Sequence, residues 1–117
     1  MLPKFTDSKS LFEEALKEQS YQKLVIQLQK DFALANIDID LFIEIEPSQL
    51  RTILHEKIYY LILEKFTEYL NLLYVIDVPE KAFREIQVTD VVEVAEQVTL
   101  LVLKRELQKV RMKAKYS

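Results

Sequence analysis

His55 is the only histidine in the chain and therefore limits the acid–base and metal chemistry that the sequence can support. A protein metal centre normally combines several histidine, cysteine and carboxylate ligands, and the chain has no cysteine and no second histidine. On a helix, the neighbours of His55 four residues away are Arg51 and Tyr59, and no Glu-x-x-His sequence of the helical di-iron type occurs. We therefore predict a partly exposed structural histidine, with no metal site, no cofactor and no catalytic residue.

Four acidic residues in the segment 37–46 are the other candidates for ion binding. They are Asp38, Asp40, Glu44 and Glu46, and they alternate with apolar residues. A calcium loop needs oxygen ligands at fixed spacing and a glycine at its sharp turn, and the chain contains no glycine. The lack of glycine also excludes the phosphate-binding loop and the dinucleotide-binding fingerprint. The alternation instead favours a segment whose acids face solvent.

Residues 104–117 hold the strongest concentration of positive charge. Against the single acid Glu106 they carry six basic side chains, which are Lys104, Arg105, Lys109, Arg111, Lys113 and Lys115. The rest of the chain holds ten basic and eighteen acidic side chains, a charge of −8. Cations near a helix C-terminus offset the helix dipole, which is the simplest explanation of the segment. They are also candidates for binding nucleic acid or an anionic surface, although dispersed charges on an acidic protein make nucleic acid the less favoured partner.

Apolar residues recur every three or four positions along most of the chain, which predicts a helical protein. A first helix is capped by Asp7 or Ser8, and a second begins at about Tyr21. Ser20 either separates these two helices or lies within a single longer one. We expect the second helix to end near Asn36, the residue best suited to replace glycine in a left-handed C-terminal cap.

Residues 37–46 show a different pattern, in which apolar and acidic residues alternate. This period of two is typical of a half-buried strand. No other segment offers a convincing partner strand, however, and a lone strand leaves its backbone hydrogen bonds unmade. We therefore prefer an extended connection that is held to the helical core by its alternate isoleucines, with the strand as the alternative.

The longest predicted helix spans about residues 47–76 and has Pro47 in its first turn. Residues 58–63 are apolar on every side of this helix, as expected for the central helix of a bundle. Asp77 is the predicted cap of a short helix that begins near Pro79.

The last helix, capped by Thr89 or Asp90, carries two apolar stripes. We expect the first to pack on the central helix; it consists of Val91, Val94, Ala95, Val98, Leu101 and Val102. The second runs into the basic segment and consists of Leu100, Leu103, Leu107, Val110 and Ala114. Either the helix is simply covered on different sides along its length, or the second stripe is a seam for a partner or a second copy. The candidate interaction surface comprises Leu100, Leu103, Leu107 and Val110 together with Lys104, Arg105, Lys109 and Arg111.

Three segments carry a resemblance to a known family, namely residues 56–62, 70–78 and 103–110. From about residue 31 to its end, the chain resembles a family of small uncharacterised helical proteins from flavobacteria-like bacteria. The resemblance implies an all-helical fold and carries no assigned activity, ligand or catalytic residue. Members of that family tend to have tryptophan or other aromatic residues where this chain has Leu107, Val110 and Arg111.

Together these patterns predict an all-α protein with a single domain at residues 1–117 and a basic helical tail at 104–117. The expected architecture is a compact bundle of four to five helices around a long central helix at about 47–76, with the extended connection at 37–46. No apolar run approaches the length of a membrane span, and the N-terminus lacks the apolar stretch of a signal peptide. We therefore expect a non-enzymatic cytoplasmic protein-interaction module that associates with itself through its last helix. The alternative is a module that binds nucleic acid or anionic surfaces through the basic tail.

Overall fold

The computed structural model describes residues 2–116 and contains six α-helices and no strand within them. The helices are α1 (Ser8–Lys17), α2 (Tyr21–Leu34), α3 (Pro47–Glu64), α4 (Phe66–Ile76), α5 (Glu80–Arg84) and α6 (Val91–Tyr116). The predicted all-α class is thus confirmed. Among these residues, no helix combines the length and apolar character that crossing a bilayer would require.

Helix ends follow local side-chain chemistry at two predicted caps. The Ser10 backbone N–H donates to Asp7 Oδ1 at 2.8 Å, and the Glu93 backbone N–H donates to Asp90 Oδ1 at 2.9 Å. Each carboxylate thereby satisfies a backbone donor that has no partner within its own helix. Of the predicted alternatives, Asp7 and Asp90 are therefore confirmed as the N-terminal caps of α1 and α6.

Within residues 2–116, three residues adopt left-handed backbone conformations at helix ends, a role that glycine usually fills. They are Gln19 (φ 61°), Asn36 (φ 60°) and Asp77 (φ 68°). Asn36 confirms the predicted end of α2, and the turn at Gln19 and Ser20 separates α1 from α2. The predicted role of Asp77 is wrong, because its left-handed backbone ends α4, and α5 starts after Pro79 without a side-chain cap.

Residues 37–46 form an extended connection, as preferred, and the alternative of a strand is wrong. Ile37, Leu41 and Ile45 are buried in the core, whereas the four acidic residues of the segment are exposed. The other two isoleucines are half-buried or exposed, so every fourth residue, and not every alternate isoleucine, holds the segment to the core. Side chains of α2 supply the hydrogen bonds that a partner strand would otherwise make. Tyr21 Oη donates to the Ile45 carbonyl at 2.6 Å, and Gln29 Nε2 donates to the Leu41 carbonyl at 2.8 Å.

The predicted helix at 47–76 is divided at Lys65, which has φ −139° and ψ 58° and separates α3 from α4. The apolar spacing continues in phase across this break, so the sequence pattern contains no sign of it. The helix at the centre of the bundle is instead α6, which packs against each of the five other helices. A helix with several neighbours must be apolar on more than one side, which explains the two stripes of α6.

Candidate interaction surfaces

The middle of the second apolar stripe of α6 lies inside the protein, whereas Ala114 at its end is exposed. Leu103 and Leu107 are completely buried, Val110 is nearly so, and Leu100 is half-buried. Ala95, Val98 and Val102 of the first stripe are also buried, whereas its other members are half-buried. Of the two interpretations of the second stripe, the structure therefore favours a helix that is covered on different sides along its length, because α1 and α2 pack on a side of α6 that α3 leaves free. A partner seam at Leu103 and Leu107 is not supported, since both side chains are already buried within one chain.

The basic side chains of the candidate surface pair with the acidic body of the same chain. The pairs are Arg105 Nη2–Asp77 Oδ2 at 3.0 Å, Lys109 Nζ–Asp31 Oδ2 at 2.7 Å and Arg111 Nη2–Glu18 Oε1 at 2.6 Å. Lys113 Nζ also donates to Gln27 Oε1 at 2.6 Å. The charge segregation between tail and body is thus largely satisfied within one molecule. Lys104 differs, because it lies in an open groove on another side of α6.

A buried polar cluster joins α2 to α6 and includes two carboxyl groups. Asp31 and Glu106 are both buried, and Lys109 Nζ lies 2.7 Å from an Asp31 oxygen and 3.3 Å from Glu106 Oε1. Gln27 Nε2 donates to both Asp31 oxygens at 3.2 Å. Neither oxygen of Glu106 has a hydrogen bond of good geometry, so this side chain depends on the electrostatics of its neighbours.

The pKa values of the two carboxyl groups are shifted in opposite directions. Burial, reinforced by the neighbouring Asp31 carboxylate, raises the pKa of Glu106 to about 9, so Glu106 is protonated at neutral pH. Burial alone would also raise the pKa of Asp31, but the Glu106 carboxyl, the Lys109 ammonium and the Gln27 amide together lower it. The cluster therefore holds one negative charge beside one positive charge in a dry interface.

Sequence reasoning missed Asp31 and Glu106, although their positions contained a signal. Glu106 is three residues after Leu103 and four residues before Val110, so it lies on the same buried side of α6 as these two core residues. Asp31 similarly follows Leu24 and Leu28 on the buried side of α2. A carboxylate at a core position of a helix is seldom tolerated without a partner, so these two acids were predictable members of a buried pair.

His55 lies on α3, and its side chain contacts groups on α6. Its Nε2 atom is 3.3 Å from the Val92 carbonyl and 3.7 Å from Glu96 Oε2. Because a carbonyl oxygen can only accept a hydrogen bond, His55 Nε2 carries the hydrogen. Arg51 donates a hydrogen bond to the other oxygen of the Glu96 carboxylate. The contacts of His55 hold α3 against α6.

A second surface consists of large apolar side chains at the end of α3 and along α4. This set, here called the apolar strip, comprises Tyr60, Leu63, Phe66, Leu70 and Tyr74. Their exposed fractions range from 46% for Tyr60 and Leu70 to 83% for Tyr74. The three residues of α4 follow one another at intervals of four and therefore lie on successive turns. The Phe66 ring packs at 5.4 Å from the ring of buried Tyr69, which anchors the strip to the core.

A third surface is a groove of about 650 Å³ between the N-terminal segment, α5 and α6, here called the α5–α6 groove. Its apolar lining comes from all three walls and includes Phe5, Ala82, Ile86, Leu100 and Leu101. Three lysines and one acid also line it, which are Lys4, Lys81, Lys104 and Glu85. The Gln97 side chain supports one end, since its amide bonds both backbone groups of Gln87 at 2.8 and 2.9 Å.

Comparisons with known proteins give no information on these surfaces. No family model, curated protein or solved structure matches the chain. Within residues 2–116, no group of three or more histidine, cysteine or carboxylate side chains is arranged to hold a metal ion. Functional inference therefore depends on the geometry and charge of the surfaces themselves.

Proposed function

We propose that this protein is a non-enzymatic interaction module of a bacterial cell's cytoplasm that associates with a second copy of itself through the apolar strip. The proposal is carried by one observation, the concentration of five exposed large apolar side chains within residues 60–74, whereas the other exposed apolar residues of the described chain are spread along its length. Contiguous exposed apolar surface on a folded protein commonly marks a contact site, because covering it releases bound water. The apolar strip replaces the last helix as the proposed contact surface.

Charge balance supports a second copy as the occupant of the strip. The segment 60–74 carries only three charged residues, Glu64, Lys65 and Glu68, and so has a charge of −1. The body of the chain outside the tail is strongly acidic, so most pairs of surfaces on two copies would repel each other. The nearly neutral strip permits closer approach. A twofold arrangement would bury the same side chains from both copies.

Light scattering coupled to size exclusion tests the proposal directly. At high micromolar concentration, we expect a mass of twice the 13.9 kDa of one chain. Leu70→Glu should give the mass of one chain, because each copy would place a carboxylate in the apolar interface. Since Leu70 is already half exposed, its replacement leaves the fold intact, which circular dichroism would verify.

Leu16→Glu is the matched control, because Leu16 is exposed to a similar extent but lies on α1, away from the strip. This variant should remain a dimer. A wild-type protein that stays monomeric at high micromolar concentration would overturn self-association. A dimer that survives Leu70→Glu together with Tyr74→Glu would place the interface elsewhere.

Binding of nucleic acid through the basic tail has less support. Four of the six tail cations already bond to groups on the same chain, three of them to carboxylates and Lys113 to the Gln27 amide. Phosphate contacts would have to replace these internal pairs. Steep loss of binding with added salt would distinguish such contacts from an apolar interface.

A further inference from the structure

The α5–α6 groove combines an apolar lining with lysines that lack partners. Among residues 2–116, no carboxylate lies within ion-pair distance of Lys4, Lys81 or Lys104. This differs from the opposite side of α6, where the cations are bonded to acidic side chains. Lys81 and Glu85 are four residues apart, a spacing that allows pairing, but Arg84 is the cation that pairs within α5, with Glu80.

The local charge of the groove is opposite to that of the protein. Its lining carries three lysines against Glu85 alone, whereas the whole chain has a net charge of −3. Charges of one sign at the edge of a low-dielectric groove raise the local concentration of oppositely charged ligands. The groove is therefore complementary to an anion.

The floor of the groove suits an alkyl chain more than a polar ligand. Leu100 and Leu101 on α6, Ala82 on α5 and Ile86 just after α5 are each only half-buried, because nothing covers them from the side of the groove. Its volume of about 650 Å³ falls within the range of small-molecule sites. An occupant that buries this lining while placing a negative charge beside the lysines must itself be amphipathic.

We infer that the α5–α6 groove binds a single-chain lipid anion, of which a free fatty acid is the simplest example. The alkyl chain lies against Leu100, Leu101 and Ile86, and the carboxylate lies among the lysines at the rim. This site is distinct from the apolar strip, and lipid binding there does not depend on self-association.

Titration calorimetry with dodecanoate below its micelle concentration tests the inference, with amide NMR spectra to locate the site. We expect saturable binding of one molecule per chain and shifts confined to residues 2–6, 79–87 and 97–104. Affinity should rise by about threefold for each methylene added from octanoate to dodecanoate. Dodecanol, which lacks the charge, should bind more weakly, and added salt should reduce only the binding of dodecanoate.

Two variants separate the charge from the apolar lining. Lys81→Gln with Lys104→Gln should weaken dodecanoate binding by about tenfold and leave dodecanol unaffected. Lys115→Gln is the control for general charge, because Lys115 lies beside the Tyr116 ring and outside the groove lining. Ala82→Phe should abolish binding of both ligands by filling the groove, without removing any buried contact.

Several results would overturn the inference. These are the absence of saturable dodecanoate binding, equal loss of affinity in Lys115→Gln, and undiminished binding in Ala82→Phe. Saturable binding of a helical peptide of leucine and glutamate in the groove, with no binding of dodecanoate, would identify a protein segment as the occupant instead. Leu70→Glu should bind dodecanoate normally, so failure of the proposed dimer leaves this test unaffected.

Discussion

The two sides of α6 use lysine in opposite ways. On the side that faces α2, Lys109 is largely buried and bonds to Asp31 within a closed cluster. On the side that faces α5, Lys104 borders an open groove and has no carboxylate within reach among the described residues. The two residues are only five positions apart in the basic segment 104–117. A cation is available to a ligand only when the fold has not already paired it, so charge counts alone did not locate the accessible site.

The same contrast holds for apolar residues. Leu107 and Leu70 both belong to regularly spaced apolar stripes, yet Leu107 is fully buried and Leu70 is nearly half exposed. Spacing shows that one side of a helix is apolar, but it does not show whether the same chain covers that side. The following substitutions test this division between closed and open surfaces.

Leu107→Ala should have the largest effect, lowering the free energy of unfolding by about 3–5 kcal/mol because it leaves a cavity in the core. Leu70→Ala should change it by less than about 0.5 kcal/mol in dilute, monomeric conditions. Urea denaturation followed by circular dichroism measures both. Equal effects of the two substitutions would contradict the assignment of the second stripe to the core.

Lys109→Met should lower the free energy of unfolding by about 3 kcal/mol, because it leaves the Asp31 carboxylate buried without its cation. Lys115→Met is the control and should have little effect, since this exposed lysine has no ion pair among the described residues. Urea denaturation at neutral pH provides the comparison. If both substitutions had small effects, the polar cluster would not be a closed interface.

Glu106→Gln should change how stability depends on pH. The pKa of Glu106 is about 9 in the folded protein and close to its ordinary value of 4.5 in the unfolded chain. Between these values the unfolded chain has lost the proton and the folded protein retains it, so rising pH destabilises the wild type. Relative to Glu106→Gln, the wild type should lose about 2 kcal/mol between pH 6 and pH 8. Exposed Glu56→Gln should leave the pH profile unchanged, and parallel profiles for wild type and Glu106→Gln would refute a protonated Glu106.

Arg111→Gln should have the smallest effect, lowering the free energy of unfolding by about 0.5 kcal/mol. Its hydrogen bond to Glu18 lowers the pKa of that carboxyl, but both side chains are partly exposed and screened by solvent. The difference from the wild type should disappear in high salt. Persistence of the effect at high salt would indicate a loss of packing, including the contact of Arg111 with the Phe5 ring at 6.0 Å.

Local features of the fold were predictable from the sequence, and features set by distant contacts were not. Asp7 and Asp90 cap nearby backbone groups, and Asn36 tolerates a left-handed turn, so neighbouring residues alone decide these helix ends. The break at Lys65 interrupts neither the apolar spacing nor the helix-forming composition. It lets α4 pack against α2 and α6 as well as α3, a requirement that no local pattern expresses.

The candidate sites were less predictable than the fold for the same reason. Lys109 and Asp31 are 78 positions apart, and only the packing of α6 on α2 brings them together. The α5–α6 groove likewise draws its walls from three separate segments, residues 2–6, 79–86 and 97–104. Charge counting identified the basic segment, but it did not show that acidic residues of the same molecule pair with it.

The absence of glycine has a consequence for the denatured protein. Every residue carries at least a Cβ atom or a proline ring, so the unfolded chain explores fewer backbone conformations and loses less entropy when it folds. The lack of glycine also has an energetic cost in the folded protein, where residues with a Cβ atom must adopt left-handed conformations. This cost is largest at Gln19, which lacks the short polar side chain that makes this conformation tolerable for Asn36 and Asp77. The turn between α1 and α2 is thus the place where the backbone conformation is least favourable for the residue that adopts it.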